Sequence, residues 1–236
     1  MTETRNDITV NGGGTIAAGT YEVVTINGGG TVTGDLVCTT LKVNGMGTCK
    51  GSVKAAVISV NGTGTFEGAV QAGDLNVNGD ASVRAGLGVN NLVVKGNLTV
   101  DAGVAARSVE VKGFARIAGD LTADEFRGEG ALEARDVKIT GGFDMSVYGA
   151  SKVKSLDAAR VVLRAPGSFG AMMFFTEKRF TAESIRGTEV WAEHTTANVV
   201  SAGNATIGRE SRIGLVQYTG NYALVDNGIV TEARKV

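Results

Sequence analysis

Between residues 8 and 130 the apolar positions come in short bursts of alternation, and each burst stops at a glycine or at an Asn-Gly or Lys-Gly pair. Period-2 alternation is the mark of a half-buried strand, and no stretch before residue 143 carries a helical apolar stripe with capping signals. Strands are predicted and helices are not. The stops are themselves periodic: Gly28, Gly45, Gly62, Gly79, Gly96, Gly113 and Gly130 follow one another at a single constant interval, a 17-residue repeat. Cutting from Val24 gives VTINGGGTVTGDLVCTT, LKVNGMGTCKGSVKAAV, ISVNGTGTFEGAVQAGD, LNVNGDASVRAGLGVNN, LVVKGNLTVDAGVAARS and VEVKGFARIAGDLTADE, and residues 8 to 23 fit with one residue deleted. Within a unit, positions one and three (Leu41 and Val43), nine and thirteen (Phe66 and Val70) are apolar, and position fifteen is small or apolar.

Three short strands with glycine-containing corners fill such a unit, the corners being expected to use left-handed backbone angles that glycine adopts freely and asparagine tolerates. If each unit is one coil, like positions stack about 4.8 Å apart and the inward column becomes a continuous aliphatic core. Position eight (Thr31, Thr48, Thr65, Ser82, Thr99) then faces outward, while Cys38 and Cys49 face inward on different walls. An antiparallel meander is the rival, because Asn-Gly between strands is also a hairpin signal. Strands this short make marginal hairpins, and a meander leaves the constant second corner near position eleven unexplained. The predicted fold is an all-β, right-handed parallel β-helix of 17-residue coils, right-handed because the hexapeptide sub-period of left-handed coils is missing.

The organisation reads as regular β-helix over 8–142, irregular coils and an apolar connecting segment over 143–182, and further coils over 183–236. Pro166 and Gly167 mark a turn before FGAMMFFTEKRF, the most apolar and aromatic stretch. For Phe169, Met172, Met173, Phe174 and Phe175 the expectations are ordinary core or end-cap packing and, more sharply, a lateral or membrane contact.

Composition narrows the function. Glycine, at 35 residues, is frequent, but one proline and 43% hydrophobic residues exclude collagen and a disordered linker. The 23 basic and 24 acidic residues are scattered, leaving no electrostatic footprint for nucleic acid. No apolar run is long enough to span a bilayer, and MTETRNDITV lacks the character of a secretory signal, so a cytoplasmic location is expected. His194, beside Glu193, is the only histidine, which leaves a zinc site or a histidine-based hydrolase unsupported. Carboxylates such as Asp35, Glu67, Asp80, Asp101, Glu110 and Asp120 occupy mostly different repeat positions, unlike the clusters of β-helical polysaccharide lyases. The NGGG segments at 11–14 and 27–30 neither open a helix nor bring the Lys-Ser/Thr pair of a phosphate loop. The threonine column lacks the paired threonines of an ice-binding face beyond Thr31 and Thr33. No enzyme activity, cofactor or metal is expected.

The glycine-rich coils, together with the segment IRGTEVWAEHTTANVVSAGNATIGRESRIGLVQYTGNYALVDNGIVTEARKV, resemble the bactofilins, a family of bacterial polymer-forming cytoskeletal proteins. The order is RG, V-x-A-E, Thr-Ala-Asn-Val-Val, the turn Ile207-Gly208 and Leu-Val-x-Tyr at 215–218, and the likeness is to the longer, two-part Gram-positive members. The resemblance implies end-to-end assembly into nucleotide-independent filaments that organise cell envelope, shape or motility, with itself or a paralogous bactofilin as partner. It also implies work at the inner face of the cell membrane; without a hydrophobic N-terminal targeting peptide, membrane association is expected to be indirect or weak at most. Under the filament expectation Ile8, Val10 and Ile16 lie near one end, and Tyr218, Tyr222 and Leu224 near the other. The alternative is a non-polymerising β-helix binding module or adhesin that recognises a protein or glycan on a flat face.

Overall fold

The computed structural model describes residues 6–164 and 178–236. These residues form parallel strands with no helix among them, grouped in two compact units, one of Met1–Arg107 with Gly113–Gly119 and one of Ser108–Lys112 with Asp120–Val236. The candidate segment around Phe169, Met172, Met173, Phe174 and Phe175 lies outside the described residues.

The strands of the first unit are β1 (Ile8–Val10), β2 (Gly13–Ile16), β3 (Gly19–Ile26), β4 (Gly29–Val32), β5 (Leu36–Val43), β6 (Met46–Cys49), β7 (Val53–Val60), β8 (Thr63–Phe66), β9 (Val70–Val77), β10 (Asp80–Val83), β11 (Leu87–Val94) and β12 (Asn97–Val100). They are followed by β13 (Val104–Val111), whose residues from Ser108 onward count with the second unit, and β14 (Phe114–Ile117). Each coil supplies one longer strand and one short one, and like strands pair in parallel at the 17-residue repeat, as in Leu36↔Val53 and Thr48↔Thr65. The unit is a parallel β-solenoid. The three expected segments are present, with two of them joined in the longer strand; that strand drops one partner at position sixteen, between Cys38 and Thr40 or Ala55 and Val57, and this break is the third corner.

Positions one, three, nine and thirteen are buried in coil after coil: Leu41, Val43, Cys49 and Val53 are each at most 1% exposed. Burying one such aliphatic side chain contributes about 1.5–3 kcal/mol, so every coil brings its own share of core. Position seven also faces inward, which the apolar pattern does not reveal because Gly30, Gly47 and Gly64 occupy it before Ala81, Leu98 and Ala115. At Gly30 a Cβ would come within 2.9 Å of the Ile26 side chain, so the wall is narrow there.

The corner glycines correct the expectation about backbone angles. None of Gly28, Gly45, Gly62, Gly79, Gly96 and Gly113 is left-handed. Glycine is required because the chain of one coil passes directly over that of the coil before: a Cβ on Gly62 would collide with the carbonyl oxygen of Gly45, and one on Gly79 with that of Gly62. The asparagine ahead of each glycine has a matching role. Asn27, Asn44, Asn61 and Asn78 each donate an Nδ2–H to the Oδ1 of the asparagine one coil earlier, beginning at Asn11, at 2.8 Å. Such a ladder forms only if all coils keep the same register.

The second unit contains β15 (Leu121–Ala123), β16 (Glu125–Gly128), β17 (Ala131–Ser146), β18 (Ala150–Arg164), β19 (Arg179–Ala192), β20 (Thr195–Ile207), β21 (Arg212–Tyr218), β22 (Tyr222–Leu224) and β23 (Ile229–Lys235). It too is a parallel solenoid, with uneven coils. Val137 pairs with Leu156, Val161 with Val190 across the intervening 165–177 segment, Val190 with Ala205 and Val216 with Ala233, so that no two of the first three steps along the chain are equal. Stacking therefore persists where the repeat disappears from the sequence. Large rings fill part of its core: Phe126 and Phe143 stack with centroids 4.4 Å apart, and Phe180 meets Phe143 edge-on at 5.9 Å. Buried Ser151, Thr195 and Ser211 are satisfied by the main chain or by each other, as when Ser211 Oγ donates to the Ala192 carbonyl and accepts from Thr195 N–H.

Gly62→Ala is expected to destabilise the protein by about 2–3 kcal/mol, because backbone must move to admit the methyl group. Gly29→Ala, whose added Cβ meets nothing within 4 Å, should change stability by less than about 0.5 kcal/mol. Urea denaturation of the two variants checks the contrast. A second expectation concerns the thiols. Burial pushes Cys38 up to about 11 and, with the neighbouring Cys38, Cys49 up to about 12 from an ordinary 9.0. Neither should react with a thiol reagent at pH 8 until the chain unfolds. Between about pH 9 and 12 the unfolded thiols have lost protons that the folded ones keep, so stability falls as pH rises through that window. The Cys38→Ala/Cys49→Ala double variant should show a flatter alkaline stability curve.

Candidate functional site

Among the described residues no three His, Cys, Asp or Glu side chains converge as metal ligands, and no helix is long and apolar enough to cross a membrane. His194 sits at a corner with its side chain 12% exposed, its Nδ1 3.3 Å from the Lys178 carbonyl and 3.3 Å from Glu210 Oε2. Its backbone is left-handed at φ 49°, and Glu210 and Asp226 are left-handed at φ 54° in the following coils. Left-handed corners therefore do occur, but on non-glycine residues of the second unit. Glu210 N–H is held by Asn227 Oδ1 at 3.1 Å, and His194 N–H by the Arg209 carbonyl at 2.8 Å. This column is corner architecture, in which the partners of the imidazole are a main-chain carbonyl and a carboxylate.

Two surfaces have chemistry to offer. The first is the pair of terminal coils. β1 pairs with β3 and β2 with β4, each on one side only among the described strands, and likewise β22 pairs with β20 and β23 with β21. An unpaired strand edge presents main-chain donors and acceptors to another strand. Ile8 and Val10 are half-buried on β1, and Ile16 is buried on β2. Leu224 on β22 is 48% exposed, and Ile229, which no feature of the sequence marks out, is 55% exposed on β23. Tyr222 stacks on Tyr218 with centroids 5.4 Å apart, and burial together with the Tyr218 phenol raises its pKa. Tyr218 itself lies one strand in, because β21 is paired on both sides.

The second surface is a groove of about 440 Å³ on an outward face of the second unit. Asp144, Val162, Trp191 and Thr206 share one outward column across β17, β18, β19 and β20, and Arg160, Glu189 and Asn204 form the column beside it. Val162 points outward and is still only 7% exposed, so it is the floor, while Trp191 at 42% is a wall. Arg160 and Arg164 reach the Asp144 carboxylate at 3.5 and 3.1 Å. Glu189 has no ion-pair partner, and the Trp191 indole N–H no acceptor, among the described residues. In the sequence the groove has one signal, a large aromatic at an outward position between inward Val190 and Ala192, which by itself does not mark a site.

No family model matches the chain, and neither a curated protein nor a solved structure matches it.

Proposed function

We infer that the protein is a structural, self-associating scaffold whose solenoid coils stack end to end into nucleotide-independent filaments. The observation that carries this is the strand edge left unpaired, among the described residues, on β1 and β2 and again on β22 and β23, with apolar Leu224 and Ile229 exposed at the latter. A second copy that continues the ladder satisfies the main-chain groups and removes these side chains from water in one step. A contact of that kind does not close on itself when successive axes stay aligned, so it propagates. Strand pairing and burial supply the association energy, and nucleotide has no part in it. Glu232 and Arg234, paired at 2.7 Å on β23, put charge on this edge, which favours one register of contact and makes assembly sensitive to salt. The reading agrees with the bactofilin resemblance and, through it, with a cytoplasmic polymer of this chain or of it with a paralogue, serving cell envelope, shape or motility.

Negative-stain electron microscopy of the purified protein, without nucleotide and across salt concentrations, is expected to show filaments. Leu224→Glu should raise the concentration needed for assembly by about tenfold or more, equivalent to about 1.4 kcal/mol per contact, with the thermal unfolding of the fold unchanged. Monodisperse particles of the unmodified protein, or filaments of undiminished length from a folded Leu224→Glu variant, overturn the proposal.

A further inference from the structure

We propose that the groove beside Trp191 is a binding site for an uncharged linear oligosaccharide. Outward positions on a solenoid wall are ordinarily polar or small and leave a flat surface. Here an aliphatic residue forms a floor, with the only tryptophan of the chain as a wall above it. An exposed indole face is electron-rich, and the C–H groups of a pyranose ring, which carry partial positive charge, stack on it favourably. Around the indole the lining offers what sugar hydroxyls need, donors and acceptors close together: the Asn204 amide, the Thr206 hydroxyl, the Glu189 carboxylate and the indole N–H.

Charge decides against an anionic ligand. Arg160 and Arg164 would be the attraction for a phosphate or sulfate, but both are already drawn to Asp144, and Glu189 adds a second carboxylate at the same groove. The two guanidiniums and two carboxylates cancel, leaving a neutral, polar cleft with an aromatic platform. A cavity of this volume is in the range that holds a small ligand. The shape favours a chain over a single sugar: the lining from Val162 to Thr206 crosses three strands, and two steps of about 4.8 Å give a track about 10 Å long, enough for two sugar rings in line. This site is independent of the filament proposal, since it is built from outward side chains and not from strand edges.

The indole is its own reporter, because no other tryptophan contributes to the emission. Fluorescence titration of the full chain with cellohexaose and, separately, chitohexaose should give a saturable change with at least one of them, insensitive to salt. Glu189→Ala, at an exposed position, and Asn204→Asp, which keeps the Oδ1 that accepts from Asn221 N–H and removes the Nδ2 donors, should retain the fold and the reporter while weakening that binding by about tenfold. Three results overturn the proposal: no spectral change with either sugar at millimolar concentration; a response to inorganic phosphate in place of the sugars that salt abolishes, which makes the groove an anion site; or a Trp191 already shielded from acrylamide quenching in the free protein, which means that protein fills the groove.

Discussion

The first unit depends on a close approach of backbones at its corners. At the Asn-Gly corner, successive coils pass so near one another that the space for a Cβ is occupied by the carbonyl oxygen of the preceding glycine. Once that approach recurs at a fixed 17-residue interval, the remaining regularities follow: the asparagine ladder, the inward aliphatic columns and the outward Thr31, Thr48 and Thr65 column all lie in the same register. A slip of one residue would turn the core columns outward and break the ladder together. The repeat is thus held by steric exclusion at the corners and by burial along the walls, with the surface charges having little part in it.

The second unit keeps the stacking and gives up the uniform corner. Its coils are unequal, shortest from Val190 to Ala205 and longest from Val161 to Val190, and its turns rest on buried serine and threonine hydroxyls and on left-handed His194, Glu210 and Asp226. Left-handed geometry costs a non-glycine residue about 1–2 kcal/mol, so these corners persist because the strands on either side over-determine them. Freedom from a strict repeat also lets one wall differ from the rest. Phe126 and Phe143 stack in the core, and the adjoining outward columns bring Val162, Trp191 and Glu189 into one groove.

A solenoid of this kind separates its possible contacts by chemistry. Strand edges offer main-chain hydrogen bonds and apolar cross-section to something of the same shape, which points to another copy. Outward columns offer side-chain pattern, which points to a different ligand. Both can operate at once, because a side chain in the groove column takes no part in the hydrogen bonds of the edge. His194 is held at its corner by the Glu210 carboxylate and the Lys178 carbonyl, and the Cys38 and Cys49 thiols are buried in the core.

Much of this was legible in the chain itself. Period-2 alternation and the glycines at 17-residue intervals determine a parallel solenoid and its inward positions, because identical corners have to stack and each apolar column has to be buried. The reason for the glycines was not legible: the close approach of two backbones is a property of neighbouring coils, and residue preference alone suggested left-handed angles in its place. Position seven is silent in the sequence for a related reason, since a glycine lining a narrow wall carries no hydrophobic signal. Only the tertiary structure decided the register after Gly130, where coil length varies and the partner of Val161 proves to be the distant Val190. It also decided the groove: Arg160, Val162, Glu189, Trp191 and Asn204 are spread along the sequence and become neighbours through strand pairing across coils of unequal length.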